Sequence, residues 1–266
     1  MKKFDFHTHA FVDNLAERAV SALELRSGIA PFTDGTISGL HDAMHRCRIN
    51  GGLLLPVATK PSQQTTINNW AAQVQKNVLY SCGTVHPDAE NALEEISRIK
   101  DLGLYGVKFH SEYQQFLPDE ERMYPIYNKI AQEKMFAVFH GGWDPLSGDE
   151  VRGTPDRFAN AIRHVPELTY VIAHLGGMNM WDEVEEEIAG KFRNVYLDVS
   201  VIADYIEPAQ LLRIIRTHGA DRILFGSDCP WSDPTSEIRM IEDLPLSSEE
   251  KELIFWKNAA RLLKFE

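Results

Sequence analysis

Eight short runs of apolar and β-branched residues recur along the chain, and longer amphipathic segments separate most of them. Most positions within each run are apolar, without the polar alternation of a strand that has one face in water. This pattern predicts parallel strands that are covered on both faces. The runs are residues 3–7, 52–57, 78–85, 104–110, 135–140, 168–174, 194–199 and 222–227.

The segments between the runs predict the helices. Four of them carry apolar side chains three and four positions apart, as amphipathic helices do: residues 91–100, 178–190, 208–218 and 248–263. Strands that alternate with helices predict a parallel sheet. Eight such units in 266 residues favour a closed (β/α)8 barrel, the TIM barrel of the α/β class, as a single domain over residues 1–266. An open, doubly wound sheet stays an alternative, and the weakly patterned residues 28–52 are expected to form a loop over the barrel mouth.

The charge and composition of the chain disfavour some classes of binding partner. The formal net charge of -12 disfavours nucleic acid, because an acidic protein repels a phosphate backbone. No run approaches the roughly 18 apolar residues of a membrane span, so no membrane partner is expected. The cysteines Cys47, Cys82 and Cys229 form no Cys-x-x-Cys pair, which favours reduced thiols and a cytoplasmic location. The expected partner is a small-molecule substrate, and a homo-oligomer stays open.

Residues with metal-binding or catalytic side chains concentrate where the predicted strands end. Six of the ten histidines lie there, and they are His7, His9, His86, His110, His140 and His174. Asp228 follows the eighth strand. Because the carboxyl ends of all barrel strands meet at one mouth, these side chains are expected to lie close together. Imidazole nitrogens with a carboxylate oxygen suit zinc, and also manganese, iron or cobalt.

His7 and His9 are the most specific part of this pattern. Residues two apart on a strand project from the same face, so both rings can approach one ion. Taken singly, His140 and His174 are more simply explained as hydrogen-bonded core histidines, whereas a helix N-cap is only the lesser alternative for Asp228. Their shared position after apolar strands favours a metal centre instead.

The same segments resemble the amidohydrolase superfamily, and within it the aminocarboxymuconate semialdehyde decarboxylase-like branch. The matching segments are FDFHTHAF (4–11), GVKFH (106–110), FHGG (139–142), VIAHLGG (171–177), LFGSDCPW (224–231) and NAARLLKF (258–265). The resemblance implies a (β/α)8 barrel with one or two divalent ions at its mouth. It assigns metal ligation to His7, His9, His140 and Asp228, and it gives His174 a second-metal or substrate-polarising role.

The fourth strand leaves the number of ions open. In binuclear members of the family a carboxylated lysine or a glutamate there bridges the ions, and here Lys108 lies on the strand and Glu112 just beyond it. We favour one ion, with zinc first, and we expect Lys108, His110 and Glu112 to face the substrate. Trp231, after the eighth strand, is expected to line the same pocket. Asp198, after the seventh, is expected to serve structure.

The expected reaction is metal-assisted hydrolysis of a small ester, lactone or amide. A bound ion lowers the pKa of water towards about 7, Asp228 would accept the water's proton, and His174 would help to polarise the carbonyl. Within the same fold, the alternative is non-oxidative decarboxylation, with Asp228 protonating the carbon that loses carbon dioxide. A third hypothesis, from another class, is a barrel that binds metal and ligand without turnover.

Overall fold

Parallel strands form the centre of the molecule in the computed structural model, which describes residues 1–148 and 150–265. Each predicted run contains a strand, and the third run contains two, separated by Cys82. The strands are β1 (Phe4–Thr8), β2 (Gly51–Leu54), β3 (Leu79–Ser81), β4 (Gly83–Thr84), β5 (Gly106–Phe109), β6 (Phe136–Phe139), β7 (Thr169–Ile172), β8 (Val195–Asp198) and β9 (Ile223–Leu224).

The strands pair in parallel in two groups, β1-β2-β3 and β4-β5-β6-β7-β8-β9. Backbone hydrogen bonds connect the two groups on both sides. The Phe6 N–H donates to the Phe225 carbonyl at 2.8 Å, and the Tyr105 N–H donates to the Ser81 carbonyl at 3.0 Å. The predicted (β/α)8 barrel is therefore confirmed, and the open doubly wound sheet is wrong.

Helices follow most of the strands, as predicted. The α-helices are α1 (Asp13–Ser27), α2 (Ile37–Arg46), α3 (Gln64–Val74), α4 (Ala92–Asp101), α5 (Ser111–Gln114), α6 (Met123–Gln132), α7 (Pro155–His164), α8 (Trp181–Glu187), α9 (Pro208–His218), α10 (Pro234–Asp243), α11 (Ser248–Glu252) and α12 (Asn258–Leu263). Three 3-10 turns cover Pro61–Gln63, His174–Gly176 and Ala220–Arg222, and one π-helical turn covers Leu253–Lys257. The expectation of a loop at residues 28–52 is wrong in part, because this segment contains α2.

The capping residue of α2 is Thr36, whose side chain accepts a hydrogen bond from the Gly39 N–H. The helix buries only Leu40, Ala43 and Met44. These positions stand three and four residues apart, as do the buried apolar positions of the predicted helix at residues 91–100, so the helical signal was present in the sequence and was missed.

One irregularity in β1 bears directly on the candidate site. Asp5 pairs with Gly52 and Thr8 with Leu54, so β1 contains one residue more than β2 across this interval. The extra residue makes a β-bulge, and a bulge re-aims the side chains it contains. His7 lies inside the bulge.

Apolar side chains fill the barrel and the layer around it. One cluster contains Phe6, Leu53, Val138 and Leu224, and Leu263 of the C-terminal α12 packs into the same cluster. A larger cluster joins the remaining strand residues to the surrounding helices. In the part of the chain that the structure describes, no helix is both long enough and apolar enough to cross a membrane.

Candidate metal centre

His7, His9 and Asp228 converge at the carboxyl end of β1. The Nε2 atoms of the two histidines are 3.1 Å apart, and Asp228 Oδ1 is 3.3 Å from His7 Nε2 and 3.0 Å from His9 Nε2. Backbone hydrogen bonds hold the two segments together, because the Asp228 N–H donates to the His7 carbonyl and the His9 N–H to the Cys229 carbonyl. Asp228 has a φ of 67°, a left-handed conformation that non-glycine residues adopt rarely and mainly at special sites.

The partners of the other ring nitrogens fix the tautomers of both histidines. His7 Nδ1 lies 2.9 Å from Asp198 Oδ2, and His9 Nδ1 lies 2.8 Å from the Leu55 carbonyl. Both partners only accept hydrogen bonds, so each Nδ1 carries the proton and donates it. Burial lowers the pKa of His7 to about 4, so this ring is neutral at pH 7. Its Nε2 therefore carries a lone pair and no proton.

Three electron-rich atoms therefore face one another in a space closed to water on most sides. Two imidazole lone pairs and one carboxylate oxygen, all 3.0–3.3 Å apart, repel unless a cation lies among them. At bond lengths of about 2.1 Å, neighbouring zinc ligands are roughly 3.0–3.4 Å apart in octahedral and tetrahedral sites. The donor set thus fits a divalent ion held by His7, His9 and Asp228.

Lys108 brings a positive charge to the same place. Its ammonium is 3.3 Å from His7 Nε2, and its side chain is buried. Burial lowers the pKa of Lys108 to about 8, while the nearby Asp198 and Asp228 oppose that shift. The lysine is therefore mostly protonated at pH 7.

Asp198 and Ser200, after β8, organise the rings from behind. Asp198 Oδ1 accepts hydrogen bonds from the Ser200 hydroxyl at 2.5 Å, the Ser200 N–H at 3.1 Å and the His174 N–H at 3.3 Å. Burial raises the pKa of this carboxyl, but His7 and the hydrogen bonds outweigh burial and hold it well below its ordinary value. Asp198 is thus a buried anion that can only accept.

The same reasoning extends through His174 to His140. His174 Nδ1 donates to the Ser200 carbonyl at 3.0 Å, so the Nε2 of a neutral His174 ring accepts. His140 Nδ1 is 2.9 Å from that Nε2 and is the donor to it in this state. The remaining His140 Nε2 is then a lone pair, and it is buried without a partner in the described residues. Burial keeps the pKa of His140 well below its ordinary value, so this nitrogen suits a metal ligand.

His140 also belongs to a second group of side chains, with His110 and Asp144. The His110 and His140 rings stack with centroids 4.1 Å apart and planes 10° apart, and Tyr113 stacks on the other face of His110 at 3.7 Å. A nitrogen lone pair lies in the plane of its ring. Two stacked, nearly parallel rings therefore cannot both direct a lone pair at one ion, and the second group does not fit a second metal site.

A cavity at the barrel mouth opens onto these groups. Its lining includes His140, His174, Asp144, Asp228 and Trp231. Trp231 thus lies where it was predicted. A larger groove of about 580 Å³ lies away from this chemistry, between α1, α2 and α3, with Trp70 and His41 in its wall.

Glu112 points elsewhere than a bridging ligand would. Its carboxylate accepts a hydrogen bond from the Arg152 N–H at 2.7 Å and lies 3.7 Å from the Arg152 guanidinium. It belongs to neither group of metal-ligating atoms. The proposed contact of Glu112 with substrate stays a prediction.

The structure thus brings three of the four predicted ligands, His7, His9 and Asp228, into one group, and it links His140 to them through His174 rather than by direct contact. Lys108 lies beside His7, and His174 lines the cavity. The ligand set stays a prediction.

Sequence reasoning missed the part that Asp198 and Ser200 play in setting the tautomers, and it missed Asp144 and Tyr113 altogether. Asp198 stands at a strand end like the ligands themselves, and that position was the available signal. Asp144 and Tyr113 stand a few residues beyond their strands and gave no signal.

Comparisons with known proteins identify the family. A family model described as amidohydrolase matches residues 4–265. The chain is 23% identical to 2-amino-3-carboxymuconate-6-semialdehyde decarboxylase of Caenorhabditis elegans, with 67% of this chain and 60% of that relative covered. The chain therefore spans less than two thirds of the length of that curated relative.

Solved structures share the fold. An uncharacterized TIM-barrel protein from Bordetella bronchiseptica superposes with a TM-score of 0.82 at 21% identity, covering 99% of both chains. A 5-carboxyvanillate decarboxylase from Novosphingobium aromaticivorans, in complex with manganese and 4-hydroxy-3-methoxy-5-nitrobenzoic acid, superposes with a TM-score of 0.74 at 17% identity, covering 99% of this chain and 96% of that one. At such identities the likeness shows the barrel and no more. Because the family model covers nearly the whole sequence, this chain belongs to the amidohydrolase family.

Proposed function

We propose that this chain catalyses the metal-dependent, non-oxidative decarboxylation of a small, planar carboxylic acid. The observation that carries the proposal is the cavity, in which aromatic side chains surround the same space that Asp228, His140 and His174 line. The aromatic residues are Tyr113, Trp143, Tyr205 and Trp231. Aromatic walls favour a flat conjugated ligand, because stacked and edge-to-face contacts between π systems are favourable.

The charges at the mouth suit an anionic substrate. The buried ammonium of Lys108 lies beside the His7 ring. Because burial removes the water that would solvate this ammonium, a substrate carboxylate next to it would stabilise its charge. A divalent ion at this site would supply further positive charge for the substrate carboxylate and a neighbouring hydroxyl. We propose a single ion, zinc or manganese, on His7, His9, His140 and Asp228.

Asp228 is the proposed proton carrier. Burial raises the pKa of its carboxyl, but His7 and His9 outweigh burial and hold that pKa well below its ordinary value, so Asp228 is an anion at rest and takes up a proton during the reaction. It lines the cavity, and its Oδ1 is the oxygen closest to both His7 and His9, so Oδ2 is the oxygen proposed to carry the proton. The proton passes from Asp228 to the carbon that bears the carboxylate. The bond between that carbon and the carboxylate then breaks, carbon dioxide leaves, and the electron pair of the bond stays with the carbon. Water supplies the next proton to Asp228, and the hydroxide that remains combines with the released carbon dioxide as bicarbonate.

The names of similar proteins support this reaction over hydrolysis. The curated relative is a decarboxylase, and so is the carboxyvanillate enzyme with bound manganese. Hydrolysis, which the sequence favoured, uses the same residues with water as the nucleophile, and it stays a prediction without separate support.

Isotope labelling separates the two reactions. The chain is stripped of metal, reloaded with one equivalent of Mn²⁺ or Zn²⁺, and incubated in D2O with a panel of hydroxybenzoates. We expect release of carbon dioxide and one deuterium at the vacated carbon for each molecule released. In parallel, lactones and esters are incubated in oxygen-18 water, and the products are analysed by mass spectrometry.

The matched variant is Asp228→Asn, which should keep the substrate bound and release little carbon dioxide. Oxygen-18 in a lactone or ester product, with no carbon dioxide from any acid, would overturn decarboxylation and establish hydrolysis. Deuterium incorporation that survives in Asp228→Asn would remove Asp228 as the proton donor.

A further inference from the structure

We infer that Asp144 and His110 form a subsite for a hydroxyl group of the substrate, separate from the carboxylate that is lost. The inference deepens the proposed function and rests on it. It begins with a second carboxylate in the cavity wall, which neither metal binding nor the proposed proton transfer uses.

Asp144 follows β6 in a loop and lines the cavity together with Asp228. Local hydrogen bonds lock its position. Its Oδ1 accepts from the Leu146 N–H at 2.7 Å, and its own N–H donates to the Ser147 hydroxyl at 3.1 Å. Oδ1 is thus committed to the turn, and the side chain cannot rotate freely.

The other oxygen, Oδ2, makes no hydrogen bond to residues 1–148 or 150–265. The atom paired with it is His110 Nε2 at 3.5 Å, which is too long for a good hydrogen bond. The Asp144 side chain is 9% exposed where it lines the cavity. Oδ2 is therefore open to a hydrogen-bond donor on a ligand in the cavity.

The His110 ring supplies an independent observation. His110 is buried, and its Nδ1 has no partner among the described residues. Its Nε2 faces Asp144 Oδ2 across a gap of 3.5 Å. A carboxylate only accepts hydrogen bonds, so Nε2 is the ring nitrogen that carries a proton.

A hydroxyl oxygen meets both demands at once. It donates its proton to Asp144 Oδ2 and accepts the proton of His110 Nε2. An ammonium group donates but cannot accept, and an ether accepts but cannot donate. A second substrate carboxylate would be repelled by Asp144. The pair therefore selects an acid that carries a phenolic or enolic hydroxyl, and it contributes to orienting that acid in the cavity.

The test measures binding rather than turnover. Calorimetry gives Kd for 2-, 3- and 4-hydroxybenzoate and for the three matching methoxybenzoates, on the Mn²⁺-loaded protein and on Asp144→Asn. Asparagine keeps Oδ1 for the Leu146 N–H but replaces Oδ2 by a donor. For at least one pair we expect the wild type to favour the hydroxyl by roughly 10- to 100-fold, the range for a charge-assisted hydrogen bond, and Asp144→Asn to lose this preference.

Ser147→Ala is the matched control, because it removes a hydrogen bond from the same turn and leaves the carboxylate. It should keep the preference for the hydroxyl. The subsite would be overturned if wild type and Asp144→Asn preferred the hydroxyl compounds equally, or if Ser147→Ala lost that preference as fully as Asp144→Asn. It would also be overturned if none of the acids bound. Loss of bound Mn²⁺ in Asp144→Asn would overturn it too, by making Asp144 a metal ligand. If Asp144→Asn loses the preference for the hydroxyl but no acid releases carbon dioxide, the subsite stands and only the proposed decarboxylation is contradicted.

Discussion

Asp198→Asn is expected to weaken metal binding although Asp198 is not among the proposed ligands. Three donors, two from Ser200 and one from the His174 backbone, surround Oδ1. In the variant they select the carbonyl oxygen for that position, so the amide NH2 faces His7 Nδ1 where Oδ2 was 2.9 Å away. Two donors would then face each other. His7 avoids the clash by moving its proton from Nδ1 to Nε2, and the Nε2 lone pair that serves the metal is lost.

The size of the effect follows from this geometry. Removing the partner that orients a ligating histidine typically lowers metal affinity by about 10- to 100-fold, which corresponds to about 1.4–2.7 kcal/mol. We expect the upper part of this range, because Asp198→Asn changes the tautomer of His7 and does more than loosen the ring.

Competition with a fluorescent chelator measures Kd for Mn²⁺ and Zn²⁺, and circular dichroism verifies that the variant is folded. Ser200→Ala is the control. It removes a hydroxyl that donates to Oδ1 and lies 3.1 Å from His7 Nδ1, but it leaves Oδ2 as the acceptor for the His7 Nδ1 proton, so metal affinity should fall only slightly. A folded Asp198→Asn variant with wild-type metal affinity would refute the tautomer argument.

Three further predictions concern the site and its support. Replacing both His7 and His9 by alanine should abolish metal binding in a folded barrel, and full metal content in that variant would contradict the assignment. Asp228→Asn should keep most metal but lower kcat by about 10²–10⁴-fold, with KM little changed; wild-type kcat would exclude Asp228 from proton transfer. Burial raises the pKa of Glu237 from 4.5 to about 8, so the folded protein holds this proton when the unfolded chain has released it. The free energy of unfolding should therefore fall as the pH rises from about 4.5 to 8, and Glu237→Gln should flatten that dependence in urea titrations; an unchanged slope would show that other groups cause it.

The barrel could be predicted from the sequence because strands buried on both faces carry continuous apolar runs, and these runs come at regular intervals. The boundaries were less predictable. The strand predicted at residues 78–85 is broken at Cys82. The neighbouring Gly83 marks an irregularity, because glycine weakens a strand interior, but the apolar run alone does not show it. The bulge in β1 was also invisible, because register depends on the partner strand and not on the sequence of β1 alone.

Part of the candidate site could likewise be predicted from the sequence, and part of it could not. His7, His9 and Asp228 could be predicted to meet because all parallel strands of a barrel end at one mouth. The links among the rings could not, because they depend on which nitrogen faces which acceptor. His140 illustrates the point: its position was predicted, but its contact with His174 Nε2 is a matter of ring orientation that no spacing in the sequence records.

The two aspartates at strand ends, Asp198 and Asp228, show how burial assigns different chemistry to the same residue type. Asp198 is fully buried, and both of its oxygens accept hydrogen bonds from His7, His174 and Ser200. Asp228 has a side chain that is 13% exposed and lines the cavity. The pKa of both carboxyls is held well below its ordinary value, so the difference between them is one of position. Protonating Asp198 would break the donor chain that sets the tautomers, whereas protonating Asp228 at Oδ2 leaves that chain and the contacts of Oδ1 in place. A proton can therefore pass through Asp228 to the substrate while Asp198 remains charged.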